Sequence, residues 1–247
     1  MQNIYRIEIP FEDIYTTVFL VRTEEGWLLF DTATFPSDMD EYVFPALERL
    51  GARLKCVFIS HNHRDHAGGL ARVMEKFPDA AIITGCEAVK EKFEGVTIPK
   101  DGEMLMGCLR AVAIHGHTAD SFGLLDMRSG TLLTGDCLQA YGIFGSGNWG
   151  ANIRFPAEHL SALEKLRKLG LKTLIASHDY HPCGNIARGA TEIERYLNQC
   201  AAALELIREL ICDFPELDDA AIARMYGEKG LPKLGAHVVG AVRSALK

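Results

Sequence analysis

Three of the nine histidines fall within six residues, His61-Asn62-His63-Arg64-Asp65-His66, with an aspartate interleaved among them. Imidazole nitrogen and carboxylate oxygen are the donors that suit zinc and the neighbouring divalent ions, at about 2.0 to 2.2 Å. A solvated surface string is the plain alternative for such a run. Its surroundings argue against that: the apolar run Lys55 to Ser60 ends where the string begins, and Gly68-Gly69 opens a helical pattern just after it. Strand ends in α/β architectures are where binding sites are built. His61, His63, Asp65 and His66 are therefore candidate ligands for metal-assisted chemistry.

The elements that must position this string can be read from the apolar pattern. Tyr5 to Ile9, Thr16 to Arg22 and Trp27 to Asp31 are rich in β-branched and aromatic residues and read as an antiparallel opening. Asp38 to Leu50 has helical spacing and stops at Gly51; Lys55 to Ser60 is a strand; the histidine string reads as a loop. Gly68 to Phe77 reads as a helix, Ala80 to Thr84 as a strand and Cys86 to Phe93 as a short helix. From Val96 to Thr134 short strands return, with Met127-Arg128-Ser129-Gly130 as a hairpin turn between Phe122 to Asp126 and Thr131 to Thr134. Pro156 to Leu169 reads as a helix closed by Gly170, Thr173 to Ala176 as a strand, and the chain from about Asn185 to the end as largely helical. Two β-rich blocks, each followed by helices, imply two packed sheets with helices outside.

Length and composition set the frame. A chain of 247 residues with 48% hydrophobic and 24% charged residues fits one folded domain over residues 1–247, and it excludes disordered and collagen-like classes. A net charge of −7 leaves no footprint for a phosphate backbone, so nucleic acid is not an expected partner. Met1 to Pro10 has no leader pattern and no window approaches a membrane span, so a cytoplasmic protein without a membrane partner is expected. The seven cysteines form no CxxC pair and read as reduced, mostly buried thiols.

The string His61 to His66 has the form HxHxDH after a strand, and further motifs follow in order: Ile114-His115-Gly116-His117-Thr118, Thr134-Gly135-Asp136 and Ala176-Ser177-His178. In these motifs and their separations the chain, over roughly Ile14 to Gly184, resembles the metallo-β-lactamase superfamily and its glyoxalase II-like branch. The resemblance implies an α/β fold of four layers, an αβ/βα sandwich, with a helical C-terminal part. It implies one metal held by His61, His63 and His117, another by Asp65, His66 and His178, and Asp136 bridging the two. The β-lactamases proper lack the bridging carboxylate, and flavodiiron proteins carry a glutamate where His63 stands; both activities are thereby disfavoured. Asp31, at the end of an early strand, is similar to the family's aspartate that supports a metal-bound imidazole; a turn or cap residue is its other reading.

Two cations about 3.5 to 4 Å apart can share a hydroxide and lower the pKa of water from 15.7 toward about 7. The expectation is a di-metal hydrolase, with zinc first and iron or manganese as alternatives, attacking an ester-like bond of a small molecule through a metal-bridging hydroxide. Thioester, ester, lactone and phosphodiester stay open as the bond type, and a homo-oligomer stays open as the assembly. Asp65 is the expected catalytic acceptor that orients the attacking oxygen, and Tyr141 a candidate donor to the developing oxyanion, as a nearby tyrosine is in lactonase relatives. The alternative is a mononuclear iron, persulfide dioxygenase-like oxidoreductase. Phe144 and Trp149 are candidate pocket residues, with packing as the competing reading. His115 is set aside as a ligand, His181 is a loop or substrate residue, and His159, His237, Lys229, Lys233 and Arg243 read as structural or exposed.

Overall fold

Alternation along the strands decides which side chains face each other. The computed structural model of the chain describes residues 3–140, 150, 152–180, 184–231 and 233–246. The strands β1 (Ile4–Phe11), β2 (Ile14–Arg22), β3 (Trp27–Phe30), β4 (Leu54–Ile59), β5 (Ala81–Thr84) and β6 (Val96–Thr97) form one sheet in sequential order. Its first two pairings are antiparallel and the rest parallel. A second sheet has the order β12-β11-β10-β9-β8-β7, from β7 (Met104–Leu105), β8 (Leu109–Ala113), β9 (Phe122–Asp126), β10 (Thr131–Leu133), β11 (Thr173–Tyr180) and β12 (Gly184–Arg188). There only β10 and β11 run parallel.

Successive strand residues point to opposite faces. Phe19, Phe30 and Phe58 accordingly meet Leu109, Phe122 and Leu124 of the other sheet, and Phe30 stacks on Phe58 with ring centroids 5.6 Å apart. Burying such a ring contributes about 2 to 3 kcal/mol. The neighbours of these residues in sequence face outward, onto helices. Around the first sheet these are α1 (Pro36–Asp38), α2 (Phe44–Arg49), α3 (Arg64–Ala67), α4 (Leu70–Lys76) and α5 (Glu87–Lys90). Leu20, Leu29 and Val57 pack there against Met39, Leu47 and Leu70. Around the second are α6 (Pro156–Arg167) and α7 (Gly189–Asp213), with Leu132 and Leu174 against Leu163 and Leu197. The result is a four-layer αβ/βα sandwich. Two more helices, α8 (Asp219–Glu228) and α9 (Ala236–Ala245), close a cluster with the far end of α7 and with Ile153.

Four stretches differ from the sequence expectation. Asp31 has left the strand, with φ +62. The helix expected over Asp38 to Leu50 is interrupted by a π-helical turn, Met39–Val43, because Pro45 has no N–H to continue the ladder. The histidine string is not all loop: His63 caps α3, and Asp65 and His66 lie within it. Residues 185–188 are strand rather than helix, since Asn185 and Ala187 alternate inward against β11 and the turn to α7 comes only at Gly189, at φ +71.

Gly68 and Gly69 let that short helix approach the chain leaving β3. A Cβ at Gly68 would stand 2.0 Å from the Thr34 carbonyl oxygen, and one at Gly69 2.3 Å from that of Thr32. Thr32 also donates through its backbone N–H and its hydroxyl to the His66 carbonyl, at 2.6 and 3.0 Å. The histidine string is thus clamped to the exit of β3.

Candidate metal centre

Strands β3 and β4 run parallel, as do β10 and β11, and β8 shares the direction of β10 across the antiparallel β9. Their C-terminal ends therefore lie at one edge of each sheet. His61, His63, Asp65 and His66 follow β4; His117 follows β8; Asp136 follows β10; His178 lies in the last part of β11. These seven side chains, drawn from 118 positions of sequence, form two adjoining sets, His61, His63 and His117 in one and Asp65, His66, Asp136 and His178 in the other. Within each set the donor atoms lie within 4.8 Å of one another.

In the first set His63 Nδ1 stands 3.0 Å from His61 Nε2 and 2.9 Å from His117 Nε2. The outward nitrogens show where the hydrogens are. His117 Nδ1 donates to the Asn152 carbonyl at 2.7 Å. His61 Nδ1 is 3.0 Å from Ser60 Oγ, which itself donates to Asp31 Oδ2 at 2.9 Å and so accepts from the imidazole. Both Nε2 atoms then carry bare lone pairs turned toward His63 Nδ1. A single hydrogen on His63 cannot serve two lone pairs, whereas a cation between the three nitrogens can.

The second set joins two imidazoles to two carboxylates. His178 Nε2 is 3.1 Å from Asp65 Oδ2 and 3.2 Å from Asp136 Oδ1; His66 Nε2 is 3.3 Å from the same two oxygens. Asp136 turns its other oxygen, Oδ2, to within 3.8 Å of His117 Nε2, so one carboxylate faces both sets. His66 Nδ1 donates to Asp31 Oδ2 at 2.7 Å and His178 Nδ1 to the Tyr15 carbonyl at 2.8 Å. His66 Nε2 and Asp136 Oδ1 are buried and make no hydrogen bond. Orphaned polar atoms of this kind are costly unless something satisfies them, and an imidazole nitrogen opposite carboxylate oxygens is a donor set that fits a divalent cation.

Burial pushes His61 well below the ordinary histidine range, lowers His63 against the opposing pull of Asp136, and takes His117 down to about 4. In the second set burial acts on His66 and His178 in the same sense but is outweighed. Asp65 and Asp136 raise His66 well above its ordinary value, and Asp136 and Asp65 raise His178 to about 10. Asp65 and Asp136 are held below the usual carboxylate range because His66 and His178 outweigh the opposing effect of burial. Asp31, fully enclosed, is raised by burial against the donors from His66 and Ser60.

A cavity of about 140 Å³ opens onto the two sets, with His63, Asp65, His117, Asp136 and His178 in its wall. Phe11, Ile14, Gln139, Gly150 and Asn152 complete the lining. Sequence reading missed Ser60, Tyr15, Gln139 and Asn152. Ser60 is signalled by its place just before His61, but Tyr15 and Asn152 act on the imidazoles through backbone carbonyls, which leave no mark in side-chain type.

The remaining histidines among the described residues are placed apart from the two sets. His115 packs edge-on to Phe122, with ring centroids 5.7 Å apart. His159 is fully buried on α6, under Gly116. His237 on α9 reaches the side chain of Asn152, with Nε2 2.9 Å from Oδ1. Arg243 pairs with Asp219 at 2.8 Å. The candidate catalytic Tyr141 lies outside the described residues, as do Phe144, Trp149 and His181. Among the described cysteines, six are free and four of them buried. No helix among the described residues is long and apolar enough to cross a membrane.

Residues 12–178 match the family model of the metallo-beta-lactamase superfamily. The hydroxyacylglutathione hydrolase of Bartonella henselae is 31% identical over 154 residues, which cover 60% of this chain and 58% of the relative. That of Brucella ovis is 33% identical over 187 residues, covering 71% and 69%. The chain thus spans less than two thirds of the Bartonella protein. A metallo-beta-lactamase from Pontibacter korlensis superposes with a TM-score of 0.62 at 18% identity, over 81% of this chain and 95% of that one. A flavo di-iron protein from Thermotoga maritima gives 0.64 at 19% identity, over 83% and 58%. At such identities the two structures speak for the fold.

Proposed function

The chain belongs to the metallo-beta-lactamase superfamily, and from that membership we propose that it is a di-metal hydrolase of an ester-like bond in a small molecule, with zinc as its metal. The observation that carries this reading is the shared carboxylate: Asp136 directs one oxygen to each donor set, and His66 Nε2 and Asp136 Oδ1 face each other without a hydrogen bond. His61, His63 and His117 would hold one cation and Asp65, His66 and His178 the other, with Asp136 common to both. Bound there, the cations supply Lewis acidity, polarising the scissile carbonyl and letting water lose its proton near neutral pH.

The protein's own groups do the rest. Asp65 lines the cavity and is held ionised by His66 and His178, so it accepts a hydrogen bond from the attacking water and aims its lone pair. Asp31 and Ser60, with the carbonyls of Tyr15 and Asn152, keep the imidazoles of His61, His66, His117 and His178 in the tautomer that offers Nε2 inward. Phe11 and Ile14 give the cavity an apolar wall that excludes bulk water. The complete four-group second set supports two cations over the mononuclear iron alternative. Named relatives act as hydroxyacylglutathione hydrolases, which supports a thioester as the first bond to try. Free cysteines fit the cytoplasm proposed as its setting.

The test is elemental analysis together with turnover on a panel of esters, thioesters, lactones and phosphodiesters, with His61→Ala and Asp136→Ala as controls. Two ions per chain and a substrate whose hydrolysis both variants abolish are expected. Activity unchanged in both variants would overturn the reading.

A further inference from the structure

Gln139 follows Asp136 by three positions and is 2% exposed, yet its side chain lines the cavity beside His63, His117 and Asp136. The backbone N–H of Asn152 donates to its Oε1. A backbone N–H can only donate, so this bond settles which end of the carboxamide is oxygen. The other end is the NH2 group, for which no acceptor exists among the described residues. Asn152 is itself fixed: its carbonyl accepts from His117, and its side chain meets His237 of α9. The segment it belongs to is pinned further where the N–H groups of Arg154 and Phe155 both donate to the Gly116 carbonyl, at 2.8 and 2.9 Å. The carboxamide is held at its oxygen by a braced loop, and its two N–H bonds are left over at the wall of the site.

The geometry points to Gln139 as a donor to the substrate's carbonyl oxygen, a role that rests on the hydrolase reading above. In the addition step the water oxygen bonds to the acyl carbon while the carbonyl π pair moves onto oxygen. Collapse returns that pair, breaks the bond to the leaving oxygen or sulfur, and yields a carboxylic acid and an alcohol or thiol, the water's proton passing to the leaving atom. A preorganised N–H aimed at the oxygen where charge develops stabilises that point of the reaction more than the ground state. The competing account is that Gln139 merely holds Asn152, and through it His117.

Two near-isosteric variants separate these accounts. Gln139→Glu keeps an acceptor for the Asn152 N–H but has no donor and adds charge; Gln139→Met is neutral and has neither donor nor acceptor. For the metal-loaded full chain hydrolysing p-nitrophenyl acetate, kcat is expected to fall in both variants by roughly 10²-fold with KM little changed. Both should keep the wild-type metal content by elemental analysis, and both should bind methylphosphonate, a tetrahedral anion like the intermediate, about tenfold more weakly. A loss in Gln139→Met alone would assign only the clamp, a loss in Gln139→Glu alone would assign only charge, and loss of metal from either would route the effect through His117; each overturns the inference. Should the wild type hydrolyse no ester, the hydrolase reading fails by itself, and methylphosphonate binding still decides: equal affinity in all three proteins overturns the donor role.

Discussion

His61, His63 and His117 are kept neutral by burial, whereas His66 and His178, just as enclosed, are kept charged by Asp65 and Asp136. His61 and His66 sit five residues apart with ring centroids 4.3 Å from each other, so neither burial nor chain position separates them. The difference lies in what each ring faces. Desolvation disfavours the charged imidazole, and an adjacent carboxylate can more than reverse that. The first set is therefore ready to receive a cation with no proton to displace. The second is neutralised internally and must give up protons as the cation enters.

Removing the shared carboxylate is the harshest test of this contrast. Asp136→Ala should strip metal from both sets and reduce turnover by several kcal/mol, about 10³-fold or more. His61→Ala should empty the first set and leave the second loaded. Elemental analysis of the two variants side by side reads this directly, and equal loss of both ions from His61→Ala would mean that the sets are not separable.

The supporting groups give the next largest effect. Asn tolerates the left-handed backbone at position 31, where φ is +62, so Asp31→Asn tests the carboxylate with little backbone penalty. Its NH2 would face His66 Nδ1, favour the wrong tautomer and lower affinity in the second set by about 10- to 100-fold. Ser60→Ala removes the acceptor of His61 and one of several donors to Asp31, so its larger effect should fall on the first set. Competition with a chelator, ion by ion, distinguishes the two, and identical profiles for both variants would erase the distinction.

The protonation contrast predicts opposite responses to pH. For the metal-free protein, the raised value of His178 contributes stability that is complete below its ordinary 6.5 and is lost as pH climbs towards about 10. Asp65 and Asp136, held below their ordinary 3.8, contribute stability present above that value and lost as pH falls further. Thermal melts across this range should decline toward both ends. Calorimetric metal titration in buffers of different ionisation heat should show proton release for the second set and almost none for the first at neutral pH. A first ion that releases as many protons as the second would contradict the assignment.

The smallest effect is expected at the periphery of the first set. His237→Ala removes one hydrogen bond to the Asn152 side chain, worth about 0.5 to 1.5 kcal/mol, and should lower affinity there only a few-fold while sparing the second set. Chelator competition on this variant would show whether α9 reaches the metal centre at all.

Much of the fold was legible because it is local. The in-and-out alternation of Val18, Phe19, Leu20 and Val21 states a strand between two apolar layers, and the turn at 127–130 joins β9 and β10 as the pattern implies. The start of α3 inside the histidine string was hidden, because its bracing comes from Thr32, on another strand's exit. Strand β12 was hidden for the same reason: Asn185 to Arg188 becomes strand by pairing with β11. Gln139 and Asn152 carry no motif, and their place at the cavity follows from a backbone contact across the fold.

The order of residues carries the inventory: which donor atoms exist, the tight spacing of His61, His63, Asp65 and His66, and the apolar periods that mark where strands end. Which imidazoles burial holds neutral, which carboxylates hold charged, and which carboxylate is held in common follow from the folded arrangement. Residue type and period are properties of neighbours along the chain, whereas a proton's free energy depends on charges, dipoles and excluded solvent acting through space, here from groups that lie up to 163 positions away.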